Sequence, residues 1–129
     1  MNDLRPVGTP INLDGVEREI LFTLPAIHAI QKKFGCSIDD VMKIALKDET
    51  DTCQLMEWAS DILTILFNDE AERTKDKKRE VTGEVFDRIL TARNVNKIML
   101  ILLVEYGYDI PQPDDDEDEN PNMESGEQK

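Results

Sequence analysis

The chain has 129 residues, with 28 Asp and Glu against 15 Lys and Arg and a net charge of −13. That length fits one domain rather than two, and the acidic balance argues against a nucleic-acid reader, whose surface concentrates positive charge. The longest apolar run, Ile98–Val104, falls well short of the roughly 20 residues that span a bilayer, so no membrane association is expected.

The acidic excess is unevenly spread. Residues 109–129 hold nine Asp and Glu and one Lys, so this tail carries −8 and the first 108 residues carry −5. Ile110 and Met123 are the tail's only large apolar residues. Burial there cannot offset the entropy of ordering, and a disordered acidic tail is expected. The two expected units are therefore a compact domain over 1–108 and the tail over 109–129. The opening MNDLRPVGTPINLDG has no basic region followed by an apolar one, so no signal peptide is expected. Cys36 and Cys53 stand 17 residues apart without the dense framework of a secreted mini-protein, and they read as reduced thiols.

In chain order, Ile11–Leu13 and Val16–Leu24 flank Asp14-Gly15, the dipeptide favoured in a type I′ hairpin turn. Val16, Ile20, Phe22 and Leu24 share the even positions of the second run, while Glu17, Glu19 and Thr23 with Leu21 take the odd ones. The alternation predicts a β-hairpin with one apolar face, which must lie on something else because a lone hairpin is barely stable in water. Pro25 suits the start of a first helix. Ile27, Ile30 and Phe34 make its apolar stripe, and Gly35 is placed to stop it. Ser37 caps a second helix that buries Ile38, Val41, Met42 and Ala45, with Asp39 and Asp40 at its positive end.

Asp51 and Gln54 have capping-box spacing for a third helix, whose stripe is Leu55, Ala59, Ile62, Leu63 and Leu66, with Trp58 on the flank. The nearly all-charged segment Asn68–Glu80 reads as a surface connection or a solvated helical extension. Thr82 is placed to cap a fourth helix, with Val81 and Phe86 at staple positions and Val85, Phe86, Ile89 and Leu90 facing inward. A fifth helix runs from about Asn94 to Tyr106 and ends at Gly107, before Pro111 and Pro113 open the tail. The fold class is α+β, predominantly α: an N-terminal β-hairpin packed on about five short helices.

Chemistry-bearing constellations are sparse. His28 has no second His or Cys at ligand spacing, so neither a metal site nor a cofactor is expected. Neither Cys has a local His or basic pocket to activate it. There is no glycine-rich phosphate loop and no GxSxG turn. The acidic run Asp114–Glu119 lacks the glycine and terminal Glu spacing of a calcium loop. Arg73, Lys75, Lys77, Lys78 and Arg79 are interrupted by Asp76 and followed by Glu80, without an aromatic residue for base stacking, so they read as an exposed linker. Nothing in this set points to catalysis.

IMLILLV at Ile98–Val104 is the most informative apolar stretch. A helix apolar all round is either fully buried or keeps a face for a partner, and full burial is hard to arrange in a domain this small. The candidate partner-binding residues are therefore Ile98, Ile101, Leu102, Val104 and Tyr106.

The stretch INLDGVEREILFTLPAIHAIQKKFGCSIDDVMKIAL resembles the N-terminal half of phage tail assembly chaperones and their relatives in prophages and gene transfer agents. The shared landmarks are the Asp14-Gly15 turn, the Phe34-Gly35 helix end and the Ser37-Ile38 helix start. After them come an apolar helix around Trp58 and Leu66, a polar gap, Thr82-Gly83-Glu84-Val85, and a last apolar helix. The resemblance covers about residues 10–108 and is one of spacing. The charged Arg73–Glu80 insertion and the acidic tail are less typical of the family.

The resemblance implies a non-enzymatic protein of the infected host's cytoplasm, absent from the finished virion. It would bind the tape measure protein, keep it soluble and help recruit tail tube subunits; self-association is left open. A spare apolar helix would cover a partner's helices, and a polyanionic tail would keep the complex soluble. Two other readings stand beside it. One is an acidic inhibitor that mimics DNA to occupy a nucleic-acid-binding protein, and the other is a minor structural tail protein.

Overall fold

The computed structural model describes residues 7–109. The predicted acidic tail lies, apart from Asp109, outside these residues. The order of elements is β1 (Thr9–Asn12), β2 (Glu17–Ile20), α1 (Leu24–Phe34), α2 (Ile38–Ile44), α3 (Thr52–Thr74), two 3₁₀ turns (Lys77–Arg79 and Gly83–Phe86) and α4 (Val95–Tyr106). The fold is α+β and mostly α, as the patterning predicts. It has four α-helices where five are expected.

The strands pair antiparallel with Thr9 opposite Ile20 and Asn12 opposite Glu17. The connection is therefore the four-residue loop Leu13–Val16, which corrects the expected two-residue type I′ turn. A type I′ turn needs positive φ at both central residues, and Gly15 alone has it (88°). Asn12 Oδ1 accepts the Gly15 N–H at 2.9 Å. The Asp14 side chain pairs with Arg18 Nη2 at 3.0 Å. Leu24, expected on the hairpin's apolar face, instead opens α1 and is 65% exposed.

Local signals set the first three helices. Thr23 accepts the Ala26 N–H, and α1 ends where Gly35 takes the left-handed conformation (φ 75°), which a residue with a Cβ adopts at a cost. Ser37 caps α2 through the Asp40 N–H. Asp51 and Gln54 form the full reciprocal box at the start of α3. The 23 residues of α3 are the central element, touching α1, α4, β2 and both 3₁₀ turns.

Its inner stripe of Leu55, Ala59, Ile62, Leu63, Leu66 and Phe67 is buried. Trp58, expected at the flank, is buried too, because its indole N–H reaches the Val41 carbonyl at 2.8 Å. The charged segment Asn68–Glu80 is part helix and part connection: its first seven residues form the last two turns of α3, as the helical-extension alternative expects, but Glu70 and Ala71 within them are buried rather than solvated.

The predicted fourth helix is a 3₁₀ turn over Gly83–Phe86 followed by looser turns. Thr82 makes no side-chain cap there. The segment is held at both ends by longer-range contacts. The Asn68 amide grips the Val81 backbone through both its N–H (2.7 Å) and its C=O (3.0 Å). Phe86 packs on Phe67 with ring centroids 5.4 Å apart, and Asn94 Nδ2 donates to the Ile89 carbonyl.

Candidate protein-binding surface

Helix α4 starts with a reciprocal box one turn before its first α-helical residue. The Thr91 N–H donates to Asn94 Oδ1 at 2.9 Å, and the Asn94 N–H donates to Thr91 Oγ1 at 3.1 Å. The helix ends at Gly107. Val95, Ile98, Leu102 and Leu103 are buried in the common core. Met99, Leu100 and Ile101 are half-buried, and Val104 is 41% exposed.

The five residues singled out from sequence therefore divide. Ile98 and Leu102 are consumed by the chain's own core, where no partner reaches them in this conformation. Ile101, Val104 and Tyr106 keep solvent-accessible atoms. The sequence pattern alone does not separate the two groups, because every side of the run is apolar.

The C-terminal end of α4 is tied to two other elements. The Thr9 hydroxyl donates to the Glu105 carboxylate across to the hairpin. The Tyr106 hydroxyl donates to Asp39 Oδ1 at 2.6 Å, at the start of α2. The Tyr106 ring meets Phe22 edge-on at 5.4 Å and Tyr108 at 5.9 Å. The hydrogen bond to Asp39, with burial and the Asp39 and Tyr108 charges behind it, pushes the Tyr106 phenol up to about 12. It stays protonated and locked as a donor at any ordinary pH. The surface thus has a half-exposed apolar ridge (Leu100, Ile101, Val104) and, at one end, an aromatic corner.

A buried ionic cluster holds the hairpin down, and sequence reasoning passed over it. Arg18 is 4% exposed on the inward face of β2. Its Nη1 donates to the Arg79 carbonyl at 2.7 Å, and its guanidinium lies 4.5 Å from the Phe67 ring centroid. Glu70, 3% exposed, accepts the Glu19 N–H through Oε2 at 2.8 Å. Its Oε1 makes no hydrogen bond and stands 4.0 Å from Arg18 and 3.8 Å from Arg79. Burial alone would raise the Asp14 carboxyl, but the Arg18 hydrogen bond and charge, with the Val16 N–H, outweigh it and hold Asp14 below the usual carboxylate value. One signal was available in the sequence: Arg18 occupies an even position among Val16, Ile20 and Phe22.

The basic run Arg73–Arg79 is partly engaged in this framework. Arg73 pairs with Asp69 at 3.2 Å and donates to the Glu19 carbonyl at 2.8 Å. His28 is exposed on α1. Cys36 and Cys53 are both free thiols, half-buried and exposed. Among the described residues no group of three or more His, Cys, Asp or Glu is placed to hold a metal ion. No helix among them is long and apolar enough to cross a membrane. Compared with family models, with curated proteins and with solved structures, the chain matches none.

Proposed function

We propose that this chain is a phage tail assembly chaperone, which acts in the host cytoplasm by binding rather than by catalysis. It covers apolar helical stretches of the tape measure protein, keeps that protein soluble and helps deliver tail tube subunits. The observation that carries this is the ordered set of landmarks Asp14-Gly15, Phe34-Gly35, Ser37-Ile38 and Thr82-Gly83, followed by an apolar closing helix. Support comes from the position of each of the first three landmarks at a joint between elements: the hairpin loop, the end of α1 and the start of α2. The ridge Leu100–Ile101–Val104 supplies adaptable apolar surface of the kind that seats a partner helix.

The test is co-expression with the tape measure protein encoded in the same genome. Its soluble fraction should rise and the two should co-purify. Unchanged solubility together with no co-purification would sink the proposal. Mass spectrometry of purified virions should find the chain missing, and finding it there would favour a structural tail protein.

A further inference from the structure

A groove of about 430 Å³ lies between α1 and the C-terminal half of α3, with Glu80 and Val81 also lining it. It is open because α1 presents only Pro25, Ala26 and Ala29 there, side chains too small to reach across to Ile65 and Val81. Its volume is at the low end of the range for ligand sites, roughly 300–1,000 Å³, and suits one or two large side chains rather than an extended ligand.

Every charged residue lining it is acidic: Asp69, Glu72 and Glu80. Asp69 is already held by the Thr23 hydroxyl at 2.8 Å and by Arg73, whereas Glu72 and Glu80 are exposed. A second groove, about 350 Å³ beside the N-terminal half of α3, repeats the arrangement. There Met56, Phe86 and Leu90 lie between Glu57, Asp61 and Asp87. Among the described residues neither groove is lined by Lys or Arg, although the chain carries 15 of them. Apolar floors with rims of one charge sign select partners by complementarity.

We infer that the α1–α3 groove docks a helical segment of a partner protein, one that presents a large apolar side chain flanked a turn away by Lys or Arg. The apolar side chain enters between Ala29, Ile65 and Val81, and the flanking cations meet Glu72 and Glu80. This docking surface is separate from the α4 ridge and does not depend on which protein supplies the segment.

The test titrates the isotope-labelled full chain with a synthetic amphipathic helical peptide of leucine and lysine. Backbone amide shifts are followed by nuclear magnetic resonance. The expected result is shifts at Ala29, Ile65 and Val81, with affinity weaker at high salt for the parent chain and about tenfold weaker at low salt in the Glu72→Lys/Glu80→Lys variant. Both substituted positions are exposed, so this variant should keep its melting temperature. If it does not fold, Ala29→Trp serves instead by filling the groove, and it should also weaken binding by about tenfold. Shifts confined to residues 110–129 or to α4 would overturn the inference, as would unchanged affinity in a folded variant.

Discussion

Replacing Arg18 with methionine should destabilise the domain by about 3–5 kcal/mol, the range for breaking a buried ion pair by removing one partner. Methionine fills most of the arginine stem's volume, so little of the loss is cavity. What is lost is the hydrogen bond to the Arg79 carbonyl (2.7 Å), the pairing with Asp14 (3.0 Å) and the contact with the Phe67 ring (4.5 Å). What is left is Glu70, 3% exposed with an Oε1 that already lacks a hydrogen bond. Arg79 stands 3.8 Å from that oxygen and can move closer, which favours the lower end of the range.

At about 4–8 °C per kcal/mol for a domain of this size, a loss near 3 kcal/mol should lower the melting temperature by roughly 12–24 °C. Urea unfolding followed by far-ultraviolet circular dichroism measures the loss directly. The double variant Arg18→Met/Glu70→Leu should recover most of it, because removing both charges leaves no uncompensated ion in the core. A loss below about 1 kcal/mol in the single variant, as for a solvated surface pair, would refute the reasoning. So would a double variant no more stable than the single.

Three further outcomes follow from the same contacts. Asp14 has a folded pKa below its ordinary value, so its contribution is present above about pH 4 and is lost as pH falls through the lower folded value. Acid unfolding curves should show this dependence in the parent chain and not in Arg18→Met. Tyr106 is raised to about 12, so its contribution is complete below about pH 10 and is lost as pH climbs through 12. Ultraviolet titration should find one late-ionising tyrosine that disappears in Tyr106→Phe. Trp58→Phe deletes the buried donor to the Val41 carbonyl and should cost about 1–3 kcal/mol by urea unfolding, and a change within error would mean that water replaces the indole.

Much of the fold was legible because its signals are local. The Asp51/Gln54 box, the Ser37 cap and the Gly35 stop each act within one helical turn, and each forms as its spacing predicts. The Thr82 cap did not form. Asn68, 13 residues upstream, binds both backbone groups of Val81, and Phe86 is drawn to Phe67. Local cap chemistry is worth about 1 kcal/mol, less than those two contacts combined. The hairpin turn also departs from its local signal: Asp14-Gly15 has turn-forming composition, but the strand register leaves a four-residue loop in which Gly15 alone takes a positive φ.

By itself the sequence determined the sequence-local features: two strands, three helix stripes, and an apolar closing helix with acidic chain after it. Only the tertiary structure decided which side of that helix is used up, since burying Ile98 and Leu102 while sparing Ile101 and Val104 depends on where α3 lies. It also decided that Arg18 and Glu70, charged residues by composition, belong to the interior. They are 52 positions apart in the chain, and their mutual compensation exists only once β2 is packed on α3. The groove between α1 and α3 has the same origin. Small side chains on one helix become an opening only when a second helix stands across from them.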